Sequence, residues 1–162
     1  MGLVKNFKQP TYLGYLALIR IAVGYHFMAV DIPKLNARYL NGKGLANQLA
    51  AGVVKDPFAW HRAFIQGQVL THTHLFAYLT AFGELAIALS LLTGCLVRVA
   101  SSFGAFYQAN IFLTLGFAAG GATYGLNRIF ILLHLIFVAA SAGRAWGLDC
   151  ILKRAFPRSW LF

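Results

Sequence analysis

Four long apolar stretches, 11–32, 73–94, 99–119 and 126–146, alternate with polar segments along the chain. Each matches the roughly 20 residues that a helix needs to cross the hydrocarbon core of a bilayer. The pattern predicts an all-α integral membrane protein, a four-transmembrane-helix bundle. Pro10 stands at the start of the first helix and Pro33 just past its end, positions where a helix tolerates or requires proline. Gly94 is a natural C-terminal stop for the second helix, and the short link to the third makes those two antiparallel neighbours. The third ends near the glycine-rich 118–122.

The one long connection, 33–72, has a different pattern. Leu45, Leu49 and Val53 recur at helical spacing, as do Phe58, Arg62 and Ile65 after Asp56-Pro57. Two short amphipathic helices in the interface satisfy the backbone where bare loop against hydrocarbon does not. The expectation is a partly helical interfacial cap over one end of the bundle. Trp60 suits either a headgroup-level anchor or a packing contact.

Composition agrees with this reading. Of 162 residues, 59% are hydrophobic and 11% charged, far from the balance of a soluble domain, so residues 1–162 form a single membrane domain. A net charge of +10 suggests nucleic acid in a soluble protein. Here the basic residues lie between and beyond the apolar stretches, where they meet lipid headgroups and set orientation instead. Lys5, Lys8, Arg98, Arg144 and the tail cations Lys153, Arg154 and Arg158 fall on one side of a four-span topology. Lys34, Arg38, Lys43, Lys55, Arg62 and Arg128 fall on the other side, most of them spread over the long connection with Asp31 and Asp56 nearby. The contrast puts both termini in the cytoplasm, and the expected location is a bacterial or archaeal cytoplasmic membrane. The first apolar run outlasts a signal h-region, contains Arg20 and lacks a small-x-small cleavage site, so it stays as a helix. Cys95 and Cys150 belong to no Cys-x-x-Cys motif and read as free thiols.

Two charges are stranded in apolar sequence, Arg20 in the first stretch and Glu84 in the second. An ion at bilayer depth costs at least about 2.5 kcal/mol, so each should face a partner, a cavity or a ligand. Counting from the helix ends puts them within a few ångströms of one depth, at ~1.5 Å per residue. The two are therefore expected to meet as a buried pair, with Gly14, Ala17, Gly24, Gly83, Ala86 and Ala88 permitting close approach. A packing lock is the simpler role; the functional one is a polar pocket for a quinone headgroup or a protonatable carboxylate.

His26 and His134 also fall at similar depth. Facing histidines on two helices are ligand candidates for a haem iron or a chlorin metal, and a hydrogen-bonded pair within the bundle is the simpler arrangement. His72, His74 and His61 cluster near one interface but match no recognised ligand pattern, so no metal site is assigned.

The chain resembles the DoxX family of small four-helix membrane proteins, which includes the DoxD-type subunit of thiosulfate:quinone oxidoreductase. The resembling elements are Arg20-Ile-Ala-Val-Gly24, Lys34-Leu35, Gly83-Glu84, Leu91-Leu-Thr-Gly94 with Arg98, Ala142-Gly-Arg144 and Gly147-Leu-Asp149. Asp31-Ile-Pro33 ahead of Lys34 departs from the family pattern. The resemblance implies a four-helix fold and, for some members, association with quinone-linked redox complexes. Two functions follow as expectations. One is a membrane subunit of a quinone-linked electron-transfer complex, contributing a scaffold or a quinone pocket at Arg20 and Glu84. The other is a non-catalytic accessory or assembly subunit of a larger respiratory or photosynthetic complex. Lipids and other integral membrane subunits are the expected partners; quinone is the favoured cofactor, ahead of haem or a chlorin pigment.

Overall fold

The structure, a computed structural model, describes the backbone of residues 10–162 and side chains from Gly14 onward. Lys5 and Lys8, which entered the orientation argument, lie outside the described residues. Every regular element among the described residues is helical. Helix α1 is Pro10–Asp31, followed by a 3-10 turn, Ile32–Leu35. The cap comprises α2 (Ala37–Leu40), α3 (Lys43–Val53) and α4 (Ala59–Phe64), the last running on as a π turn, Ile65–Val69. Then come α5 (Thr73–Thr93), α6 (Val97–Ile111), α7 (Gly121–Ala140) and, after a 3-10 turn at Ala142–Arg144, α8 (Asp149–Ala155).

Three helical segments are long and apolar enough to cross a membrane: Gly14–Leu35, Thr73–Thr93 and Gly121–Ala140. The third predicted stretch does not form one unbroken α-helix. It is α-helical to Ile111, passes through a π turn at Phe112–Gly116 and ends in a single turn, Phe117–Ala119. The last predicted helix is displaced toward the N-terminus, starting at Gly121 and stopping at Ala140 rather than running 126–146. Ser141 adopts a left-handed conformation (φ 51°), and Ala145 is extended. That break frees the Ala145 carbonyl to receive a side chain from α1.

Packing is pairwise. Helix α1 lies along α5 and α6 lies along α7, while α5 and α6 meet over a shorter length. Val23, Phe27, Ile87, Leu91, Val97 and Phe137 form the core between the pairs. A second core seats the cap on the first half of α5, where Leu45, Leu49, Val53, Ile65 and Val69 cover Ala77 and Ala81. Outward faces stay apolar: Tyr25 is 70% exposed and Phe106 71%, and large exposed apolar surface marks a membrane or protein contact.

The α3 stripe is the one its spacing predicts, with Leu45, Leu49 and Val53 buried. The second cap stripe is not. Phe58 points outward, and His61, Ile65 and Val69 form the inner face. His61 decides this. Its Nδ1 meets Asp56 Oδ2, and its Nε2 lies 2.9 Å from Asn110 Oδ1 on α6. Asp56 also accepts from the Phe58 amide at 2.9 Å. Trp60, between these groups in sequence, is exposed. Replacing His61 by alanine removes the partner of the buried Asp56 carboxylate, at about 1–3 kcal/mol, and of the half-buried Asn110 amide. Faster amide deuterium exchange across 59–69, with α1 and α5 unchanged, is the expected result.

Candidate functional site

Asp31 ends α1 and Pro33 turns the chain through the 3-10 segment, which carries Lys34 back over the helix end. The Lys34 ammonium lies 2.8 Å from Asp31 Oδ1 and donates to Glu84 Oε2 at 2.5 Å. Asp31 and Glu84 are almost fully buried. Two carboxylates thus share one ammonium in a setting that disfavours separate charges, and the Tyr107 phenol from α6 adjoins Glu84. Tyr39 of α2 closes the cluster from the cap; burial pushes its phenol up to about 12, so it stays a hydroxyl.

Three cavities meet here. The largest of the three, about 840 Å³, is the groove between α5 and α6, with Leu79, Gly83, Ile87, Val99 and Phe103 among its walls, Glu84 and Tyr107 as its ionisable members at one end, and the hydroxyls of Thr80, Ser90 and Thr93 along it. A second, about 280 Å³, lies toward α1 and α7 and shares Glu84. The third, about 330 Å³, lies beneath the cap beside Lys34 and Tyr39 and shares Phe76, Thr80, Phe106 and Tyr107 with the groove. A pocket that is mostly apolar, with a few convergent polar groups, is the usual form of a small-molecule site.

Arg20 and Glu84 are not partners. Gly24 packs against Leu91 and Leu92. Counting along the antiparallel helices from that contact brings Glu84 level with Asp31 and Arg20 level with Cys95, roughly 16 Å apart at helical rise. The expected pair assumed that α1 begins where α5 ends. Instead α1 extends beyond α5, and the segment after α7 fills the space, with Trp146 beside Gly14.

Arg20 has its own site at that end. Fully buried, it donates to Leu91 O at 2.8 Å and to Ala145 O at 3.2 Å. Asp149 supplies the countercharge nearby. Its carboxylate accepts the Leu96 and Val97 amides, at 2.7 and 3.0 Å, the otherwise unpaired donors of the first turn of α6. Gly94, left-handed at φ 70°, passes so close to Gly147 and the Arg20 guanidinium that a Cβ there collides with both. Arg20 therefore ties α1 to α5 and to the segment after α7, and touches none of the three cavities.

His26 and His134 neither hydrogen-bond to each other nor face a common metal position. Phe27 and Phe130 come between them: His26 lies 4.9 Å from the Phe130 ring, and His134 lies 5.5 Å from Phe27. His134 is fully buried with both ring nitrogens unpartnered, seated on the bare backbone of Gly104, and it lines none of the three cavities. His26 is exposed on one side and borders the 280 Å³ cavity. Equal depth had suggested a pair, but the intervening aromatic rings keep them apart. Cys95 and Cys150 are both free. Among the described residues no group of three or more His, Cys, Asp or Glu side chains is arranged to hold a metal ion.

By sequence Lys34 belongs to the long connection, and its spacing alone joins it neither to Glu84 nor to Asp31. The signal lies in the whole of Asp31-Ile-Pro-Lys34, where a carboxylate and an ammonium three apart flank a proline at the end of a spanning stretch. No protein-family model, curated protein or solved structure matches this chain.

Proposed function

We propose that the chain is an integral membrane subunit of a quinone-linked electron-transfer complex, similar in build to the DoxX proteins. In this reading α6 and the turns that follow it cross the bilayer as a fourth span, completing a four-helix bundle with an interfacial cap. Both termini lie in the cytoplasm, in keeping with the basic residues at those ends. The chain binds the quinone. Two electrons pass between the quinone and a redox group of a partner subunit, and two protons accompany them.

The observation that carries the proposal is the groove between α5 and α6, whose apolar walls meet Glu84 and Tyr107. A prenyl tail fits the walls, and a quinone carbonyl finds hydrogen-bonding groups beside Glu84. Ionisable side chains at membrane depth mark such sites by default, because their cost needs a use.

Gly83 supplies the test. It lines the groove, and a Cβ placed on it meets nothing within 4 Å, so Gly83→Leu projects into the ligand's space from a position that accepts a Cβ without a clash. Decylubiquinone binding to the purified protein, measured by calorimetry in mild detergent, should weaken by roughly tenfold or more, about 1.4 kcal/mol. Glu84→Gln should impair quinone-dependent turnover of the assembled complex while the protein still assembles. Unchanged binding in the first variant together with unchanged turnover in the second would sink the proposal.

A further inference from the structure

On the side of Glu84 toward α1 and α7, the 280 Å³ cavity is lined by Asp31, Lys34, Gln108, Asn127 and His26. Three of these carry a buried polar atom with no partner: Asp31 Oδ2, Gln108 Oε1 and Asn127 Nδ2. The three residues are 1%, 5% and 7% exposed. Each such atom left unpaired costs about 1–3 kcal/mol, so three around one cavity call for a polar occupant. A water molecule needs only roughly 10–15 Å³ of such space and two to four partners, so this cavity has room for several. The flanking charges agree, since the Asp31, Lys34 and Glu84 set is neutral only with one proton on a carboxylate.

Glu84 lines both this cavity and the groove. We propose that the cavity is a hydrated chamber that supplies protons to Glu84, and that Glu84 passes them to a carbonyl oxygen of the quinone in the groove. This rests on the quinone reading above. On the chamber side a hydronium O–H bond breaks as an O–H bond forms on a Glu84 oxygen. On the groove side that bond breaks as one forms on the ligand oxygen, and the carboxylate is restored. No electron moves in this step; those come from the partner subunit's redox group. The charged and titratable groups around Glu84 are Asp31 of α1, Lys34 of the 3-10 turn, Tyr39 of α2 and Tyr107 of α6, with His26 on the chamber wall. Gln108 and Asn127 hold the water that joins them.

The test is hydrogen–deuterium exchange at the carboxyl group, followed by infrared difference spectroscopy of the full chain in phosphatidylcholine vesicles; the band is assigned by its loss in Glu84→Gln. Replacing both chamber amides, Gln108→Leu with Asn127→Leu, should slow exchange by about a hundredfold, the lower end of what a positioned proton-transfer partner contributes. Decylubiquinone binding should persist. In the unmodified protein, exchange should stay fast when decylubiquinone fills the groove. Exchange unchanged in the double variant, or abolished by quinone in the unmodified protein, overturns the chamber even where quinone binds. Slowed exchange in a protein that binds no quinone supports the chamber and overturns the groove reading. The measurement on unmodified protein decides the matter if the double variant fails to fold.

Discussion

Arg20→Met is expected to destabilise the protein by about 3–5 kcal/mol, the scale for removing one partner of a buried charge pair. The side chain is fully buried, and methionine replaces its bulk without its charge or donors. Three groups then lose their complement: the Leu91 carbonyl, the Ala145 carbonyl and the Asp149 carboxylate. Arg20→Lys should recover little, because a single ammonium does not reproduce a planar fork that reaches two carbonyls in different segments. Thermal or denaturant unfolding in detergent, followed by circular dichroism, is the measurement. A loss below about 1 kcal/mol, the range of an exposed ion pair, would contradict the assignment. Arg20→Met combined with Asp149→Leu should cost less than the two single changes together, since neighbours in one network couple by about 0.5–3 kcal/mol.

Lys34→Met should cost a similar amount for a different reason. It removes the one ammonium between Asp31 and Glu84 and leaves two buried carboxylates face to face. The variant then holds two like charges in a buried site with no countercharge between them, which is strongly destabilising. Adding Glu84→Gln removes one of the two charges and should recover part of the loss, by about 0.5–3 kcal/mol of coupling. The same unfolding measurements on the two single variants and the double variant decide it, and strict additivity would show that Lys34 and Glu84 do not interact. Because Arg20 lies at the far end of the bundle, combining Arg20→Met with Lys34→Met should give additive losses.

Helices α1 and α5 were legible because long apolar runs report elements long enough to cross a bilayer, and Pro10, Pro33 and Gly94 mark their ends by backbone chemistry that needs no tertiary context; the break after Ile111 and the stop at Ala140 left no such mark. The offset between α1 and α5 was not legible. Depth counting treats the helix ends as flush, whereas α1 outruns α5 and the segment around Gly147 occupies the difference. Glu84 was legible as a buried charge, but its partner was not, because Lys34 reaches it only through the turn that Pro33 makes. The inner face of α4 was misread for a similar reason. Its spacing admits more than one stripe, and the choice falls to His61, whose partners lie five and 49 positions away in sequence. His134 shows the opposite case. A residue that looks chemical in sequence sits sealed against Gly104 with nothing to bind.

The fastening around Gly94 also gives the groove a mechanical character. Helices α5 and α6 are tied at that end by a turn of few residues, by the Asp149 carboxylate on the first amides of α6, and by the backbone contact between Gly94 and Gly147. Toward Phe76 and Phe106 they are bridged by the cap instead, with a cavity beneath it. Any tilt of α5 against α6 would therefore pivot at Gly94. From there to Phe76 is roughly 27 Å at helical rise, so tilting α5 by about 5° moves its far end by roughly 2 Å.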